Sequence, residues 1–127
     1  MSCADVCISD MGWYDENDLH DARKRRARVE HRCCECGRTI CPGETYEHVA
    51  GKSDGRIWTA KTCTECVEIR AALVCGSWVY GDLWEAIQEE VFPAWLRTGP
   101  WDCLAKIDLL SARRLLEARF AAWQEGA

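Results

Sequence analysis

The pattern of apolar and polar positions changes along the chain, from strand-like segments to helix-like ones. Residues 44–50 and 56–62 carry β-branched and aromatic side chains, which is typical of strands. The polar, glycine-bounded segment Gly51–Gly55 between them predicts a hairpin loop. Residues 1–22 show no clear period and are predicted to form a loop or a loosely docked arm. Residues 18–30 contain good helix formers, and we expect a helix there with an exposed charged surface.

Helical spacing begins near Cys63 and continues to Leu73, and Thr62 with Glu65 forms a candidate capping box at its start. A second helix is predicted from Asp82 to Pro93, where the proline ends it. A last helix over roughly 102–124 places five apolar residues on one face: Leu109, Ala112, Leu116, Phe120 and Trp123.

Two cysteine pairs flank the predicted hairpin. Cys33 and Cys36 are separated by two residues, as are Cys63 and Cys66, and 26 residues lie between the pairs. Two intervening residues let both thiolates bind one ion, and the second pair would sit at the first turn of a helix, whose dipole favours thiolate. Knuckle, hairpin and helix in this order are typical of a treble clef, and four thiolates favour a closed structural zinc site. Iron accepts the same four ligands.

The other cysteines leave alternatives open. Cys3 and Cys7 can supply half of a second metal site that Cys41 or Cys75 completes, or all four can be ordinary buried or incidental thiols. Cys34 can exchange with Cys33 as a ligand. His31 and His48 are further candidate ligands, although each is more often a surface or strand histidine.

The fold class that follows is α+β: a treble-clef-like zinc finger with packed C-terminal helices. The chain divides into an acidic N-terminal arm (1–22), a zinc finger with a basic lead-in (23–75) and a helical C-terminal extension (76–127). Hydrophobic residues make up 48% of the chain, which is enough to bury a core. No apolar run approaches the ~20 residues of a membrane span, and the start of the chain lacks the order of a secretion signal. We therefore expect a cytoplasmic protein, in which clustered cysteines bind metal rather than form disulfides.

Charge gives two opposite indications about partners. The net charge of −5 argues against nucleic-acid binding, because affinity for nucleic acid comes largely from neutralising phosphates. Within it, however, lies a basic segment with six candidate phosphate contacts: Arg23, Lys24, Arg25, Arg26, Arg28 and Arg32. The plainer interpretation, which we favour here, is a solvated helix surface neutralised by the acidic arm. Seven tryptophans exceed what a small core readily hides, and exposed ones would serve as anchors for a protein partner.

Motifs for catalysis are missing from the sequence. Histidine-metal nucleases on treble clefs need histidines on both hairpin and helix, and His48 is the last histidine of the chain. Redox chemistry from one Cys-x2-Cys pair is disfavoured because metal would occupy both pairs. We therefore expect a binding protein and not an enzyme.

The stretches Ala27–Ile40, Pro42–Glu47, Gly51–Gly55 and Lys61–Cys66 resemble a group of uncharacterised small phage and prophage proteins with such a zinc finger. The resemblance covers roughly residues 22–90 and leaves out the C-terminal helix, and Cys41 stands where other residues are usual. It implies a zinc-finger protein in the cytoplasm of an infected bacterium, without implying an activity. In that context we expect the protein to bind a host protein, with inhibition of a host defence system as one outcome. The alternative is a nucleic-acid-binding regulator that uses residues 23–32.

Overall fold

Strands form the first part of the chain and helices the second. The computed structural model describes residues 19–53, 55–74 and 79–126. The strands are β1 (Leu19–Arg26), β2 (His31–Arg32), β3 (Thr39–Ile40), β4 (Thr45–Ser53) and β5 (Arg56–Cys63). The helices are α1 (Thr64–Leu73), α2 (Leu83–Ala86), a π-helical segment (Ile87–Val91), α3 (Phe92–Thr98), α4 (Trp101–Leu104) and α5 (Leu110–Gly126). The architecture is α+β, as the sequence predicts.

The first strand replaces a predicted helix. β1 is antiparallel to β4 from Leu19↔Lys52 to Arg26↔Thr45, so the helix expected over residues 18–30 is wrong. Eight residues of pairing with β4 outweigh the modest helix propensity of Ala-Arg-Lys-Arg-Arg. The boundary drawn between residues 22 and 23 falls inside this strand.

The hairpin of β4 and β5 confirms the two predicted strands and extends both of them. Its register runs from Tyr46↔Cys63 to Ser53↔Arg56, so residues 51–53 of the predicted loop Gly51–Gly55 belong to β4 instead. Gly51 lies inside β4, and the Trp58 ring covers it so closely that a side chain with a Cβ would have no space there. Gly55 takes the positive φ of 77° that the tight turn requires.

The three-stranded sheet, in the order β1-β4-β5, has two chemically different sides. Directly paired residues share a side, and neighbours along a strand alternate. One side carries Glu47, Val49 and Ala60 and packs on α1, where Arg70 forms a salt bridge with Glu47 at 2.8 Å. We call it the helix-facing side. The opposite side, which we call the basic side, carries the paired row Arg23, His48 and Lys61, with Arg25 beside it opposite Tyr46.

The second helix runs through the proline that was expected to end it. α2, the π-helical segment and α3 follow one another without a break from Leu83 to Thr98, and Pro93 lies in the first turn of α3. Proline has no N–H to donate, and the wider π turn before it accommodates the missing hydrogen bond. The prediction that the helix ends at Pro93 is therefore wrong.

The last predicted helix is split into α4 and α5, and its apolar face is confirmed except for Leu109, which precedes α5 and packs partly buried against the core. Ala112 and Leu116 are buried, and Phe120 and Trp123 are half-buried against the core. The ring of Phe92 lies 5.2 Å from Phe120 and 5.5 Å from Trp123, so α5 closes an aromatic cluster over α3. None of the helices in the described ranges has both the length and the apolar composition to cross a bilayer.

Candidate metal centre and basic cleft

The four predicted ligands converge at one point of the fold. The Sγ atoms of Cys33, Cys36, Cys63 and Cys66 all lie within 4.8 Å of one another. Three of these cysteines are buried and Cys36 is half-buried. All four are free thiols in the structure. They form the one cluster of three or more metal-ligating side chains among the described residues.

Local backbone geometry places each thiol. Cys33 and Cys36 lie on the turn between β2 and β3, where Gly37 has a φ of 78° and its N–H donates to the Cys33 carbonyl. Cys63 ends β5 and caps α1, and Cys66 follows in the first turn of that helix. The backbone N–H groups of Glu35 and Cys63 donate to the Cys33 sulfur at 3.4 and 3.3 Å. These bonds and the positive end of the helix dipole favour negative sulfur at this point.

The exchange of Cys34 for Cys33 is excluded by the geometry. Cys34 is exposed, and its Sγ lies 3.5 Å from the Thr62 Oγ1 instead of joining the cluster. The predicted capping box of Thr62 and Glu65 is also wrong, because Cys63 is the N-cap and makes no side-chain capping bond.

The thiols are electrostatically interdependent. Hydrogen bonds from Cys36, Cys63 and Cys66 lower the pKa of Cys33. The same interactions with the Cys33 sulfur raise the pKa values of Cys63 and Cys66. Cys33 would raise the pKa of Cys36, but Cys63 and Cys66 outweigh it and lower that pKa to about 7. Thiolates this close repel one another, so a cation is needed for all four to be deprotonated together.

The dimensions of the cluster fit a tetrahedral ion. A Zn–S bond of about 2.3 Å places neighbouring sulfurs about 3.8 Å apart in a tetrahedron. The Sγ atoms of Cys36 and Cys63 lie 3.7 Å apart. Cys33, Cys36, Cys63 and Cys66 therefore fit a four-coordinate metal, and the all-sulfur donor set suits zinc or iron.

Two side chains connect the knuckle, the turn that carries Cys33 and Cys36, to the rest of the protein. The sequence patterns do not single out either of them. The Glu35 carboxylate accepts from the N–H groups of Gly81 and Leu83, at the start of α2. Arg38 forms salt bridges with Glu44 and with Glu65 of α1 at 2.8 and 2.7 Å. These contacts join distant segments, and no motif marks Glu35 or Arg38 in advance.

A second anchor comes from the last helix. Arg119 of α5 donates to the Cys36 carbonyl at 3.1 Å, and its guanidinium lies 4.8 Å above the Trp84 ring. The knuckle therefore contacts the start of α2 and the middle of α5, which makes it the junction between the sheet and the helices.

The second candidate metal site falls largely outside the described residues. Cys3, Cys7 and Cys75 lie there, while Cys41 is exposed and free. Cys103 is buried and disulfide-bonded, and it accepts a hydrogen bond from the Trp95 Nε1 at 3.3 Å. His31 and His48 stand apart from the cluster, and the His31 ring instead packs against Tyr46 at 5.1 Å.

Part of the predicted basic segment lines an open cleft over the basic side of the sheet. The cleft has a volume of about 920 Å³. Its cationic or titratable residues come from β1, β2, β4, β5 and the link after β1: Arg25, Arg26, Arg28, His31, His48 and Lys61. No acidic side chain is among the described residues that line it. Lys24 points elsewhere and lines a small pocket of about 100 Å³ beside Glu47 and Glu68.

Strand alternation explains only part of this arrangement. Arg25 lies on the basic side of β1 and Lys24 on the helix-facing side. Arg26 shares the register side of Lys24, but at the end of β1 it lines the cleft together with Arg25 and Arg28. Arg23 shares the row of His48 and Lys61, and Arg32 is exposed on β2, where it donates to the Gly37 carbonyl at 3.3 Å. His48 and Lys61 were not part of the predicted contact set, because their proximity depends on the pairing of β1 with β4.

Comparison with known proteins finds no matching family model, no matching curated protein and no matching solved structure.

Proposed function

We propose that the protein is a zinc-finger nucleic-acid-binding protein of treble-clef type, acting in the cytoplasm of a bacterial host. The observation that carries this proposal is the cleft on the basic side, where four permanently charged side chains and two histidines surround one space. Binding to phosphates rests on such neutralisation of charge. No catalytic step is part of the proposal.

Zinc has a structural role in this proposal. Knuckle, hairpin and helix follow one another along the chain with two thiols at each end, which is the order of a treble clef. Four sulfur ligands leave no open coordination position for substrate or water, so the ion fixes the fold rather than performing chemistry. It holds β5, which carries Lys61, against the knuckle that follows His31.

Local charge supports this function in spite of the acidic composition. The whole chain has a net charge of −5, yet every charged side chain among the described residues that line the cleft is basic. A local concentration of one sign focuses the field and attracts the opposite charge, whatever the net value.

Salt dependence of binding tests the proposal. Four permanently charged residues line the cleft, Arg25, Arg26, Arg28 and Lys61, so contact with up to four phosphates is expected. The logarithm of the association constant should then fall with the logarithm of salt concentration with a slope of about −3 for single strands. Protein purified without chelator should contain one zinc per chain. Absence of any nucleic-acid binding at low salt would overturn the proposal.

A second candidate function is binding of a host protein, including a component of a host defence system. It is favoured by large apolar side chains exposed in the helical part, namely Leu96, Trp101 and Leu110 at 60%, 75% and 55%. Exposed aromatic and aliphatic residues anchor protein interfaces. Affinity capture from host lysate treated with nuclease separates the candidates, because a protein partner survives the treatment and a nucleic-acid partner does not.

A further inference from the structure

We infer that the ligand of the basic cleft is a flexible single strand of nucleic acid, which the protein binds through its phosphates without recognising the base sequence. This inference rests on the proposed function and narrows it to one class of nucleic acid and one mode of contact.

The size of the cleft favours a single strand over a duplex. Its volume of about 920 Å³ lies within the range of roughly 300–1,000 Å³ that is typical of small-molecule pockets. Such a space holds a short stretch of nucleotides. A duplex has a persistence length of about 50 nm and behaves as a stiff rod at this scale, so it cannot fold into the cleft. A single strand can.

The walls of the cleft offer hydrogen-bond donors from separate segments. Arg25 comes from β1, His48 from β4 and Lys61 from β5, while Arg26 and Arg28 approach from the end of β1 and the link that follows. Guanidinium groups bind phosphate oxygens through paired N–H donors, and lysine acts as a point charge. Donors that converge from several directions suit a chain of phosphates better than one flat surface.

The aromatic floor of the cleft argues against recognition by base stacking. Tyr46 is only 5% exposed, and the His31 ring packs against it at 5.1 Å with a tilt of 44°. Proteins that stack bases present open aromatic faces to them. Here the tyrosine face is covered, so binding energy comes from the phosphates, which carry no sequence information.

The test compares three ligands on the full-length zinc-loaded protein: a labelled single strand, its duplex with the complementary strand, and a nucleoside triphosphate as a competitor. We expect the single strand to bind at least about tenfold more tightly than the duplex at equal salt, a difference of ~1.4 kcal/mol. A strand of scrambled sequence should bind equally well, and the triphosphate should compete weakly because it offers fewer phosphates to the cleft.

Each contrary result has a distinct meaning. Equal or tighter binding of the duplex overturns this inference and leaves the proposed function in place. A strong preference for one sequence overturns the phosphate-only mode. Tighter binding of the triphosphate replaces the strand with a free nucleotide as ligand. Failure of both nucleic acids to bind overturns the inference and the proposed function together.

A variant pair locates the ligand. Lys61→Ala should reduce the salt slope for the single strand by about 0.7, the value for one lost phosphate contact. Lys24→Ala removes the same charge from β1 on the helix-facing side and should leave the slope unchanged. Zinc content and melting temperature equal to those of the wild type establish that both variants are folded. An unchanged slope in folded Lys61→Ala would contradict the location.

Discussion

The two sides of the three-stranded sheet are built from the same strands and differ in chemical character. The helix-facing side buries Val49, Ala60 and Thr62, and its one buried cation, Arg70 of α1, is paired with Glu47. The basic side presents Arg25, His48 and Lys61 to a cleft that no described acidic residue lines. Arg70 on the first side pairs with Glu47 and stabilises the fold, whereas Arg25, His48 and Lys61 on the second side line the cleft that we propose binds nucleic acid.

Under the proposed function, this difference separates residues that stabilise the sheet from residues that bind the ligand. Strand alternation sends successive residues to opposite sides, so Glu47 and His48 can have unrelated roles although they are adjacent. The metal centre lies where both sides end, at Cys63, and stabilises the sheet that carries both roles. Removal of the metal should therefore impair both stability and ligand binding. Substitutions on the helix-facing side should affect stability alone, and substitutions on the basic side should affect binding alone.

The largest expected effect comes from loss of a metal ligand. Cys36→Ser removes one of four thiolates, and we expect loss of zinc and unfolding of the sheet, because metal binding and folding are coupled in such modules. Circular dichroism and a zinc assay measure the two effects. Cys34→Ser is the matched control, since Cys34 is exposed and outside the cluster. A stable Cys36→Ser protein with unchanged melting would contradict the structural role of the metal.

The next effect concerns the buried ion pair of the helix-facing side. Arg70→Leu leaves the Glu47 carboxylate buried without its charge partner, which should cost about 3–5 kcal/mol in the free energy of unfolding. The double change Glu47→Leu with Arg70→Leu should recover most of that loss, as measured by urea denaturation. Equal destabilisation by the single and double variants would show that the pair itself is not the cause.

Two aliphatic residues sharpen the contrast between the sides. Val49 is fully buried on the helix-facing side, and Val49→Ala should cost about 2 kcal/mol from the two lost methyl groups and the resulting cavity. Ile57 shares the register side of Lys61 and is 80% exposed, so Ile57→Ala should change stability by less than about 0.5 kcal/mol. Thermal melting measures the loss of stability in each variant. Similar losses in both would contradict the difference in burial between Val49 and Ile57.

The smallest expected effect is the pH dependence of binding on the basic side. Burial, and then the charges of Arg25, Lys61 and His31, lower the pKa of His48 below its ordinary value of 6.5, so its imidazole is neutral at pH 7. A bound phosphate favours the protonated ring and raises this pKa. Nucleic-acid affinity should therefore increase as pH falls through the pKa of His48 in the complex, by at most about tenfold per pH unit for one proton, and level off below its lowered pKa in the free protein.

The control for this effect is His48→Gln, which keeps a polar side chain and removes the titration. Binding isotherms at a series of pH values should be flatter for this variant than for the wild type, while zinc content stays constant over the same range. An identical pH profile in both proteins would show that His48 does not sense the ligand.

The four clustered cysteines were predictable from sequence because their spacing marks them locally. Two pairs with two intervening residues specify two turns, and the β-branched residues between them specify the hairpin that joins the turns. The hairpin of β4 and β5 and the helix α1 after it followed from the same signals. Cys33 could not be separated from Cys34 in this way, since that choice depends on the contact of Cys34 with Thr62.

The cleft was only partly predictable, because it depends on pairing between distant segments. The composition of residues 18–30 favours a helix, and pairing with β4 makes Leu19–Arg26 a strand. That pairing brings His48 and Lys61 beside Arg25 and sends Lys24 to the opposite side. Pro93 is a similar case, since a π turn that no local signal marks lets the helix continue through it.

The most direct test of the two-sided sheet is a comparison of charge-matched double variants in nucleic-acid binding. Arg25→Ala with Lys61→Ala removes two cations from the basic side, and Lys24→Ala with Arg56→Ala removes two from the helix-facing side. We expect the first variant to lower the salt slope by about 1.4, the value for two phosphate contacts. The second should bind like the wild type, with equal zinc content and melting temperature in all three proteins. Equal losses of slope in both double variants would contradict the account, because net charge and not the cleft would then govern binding.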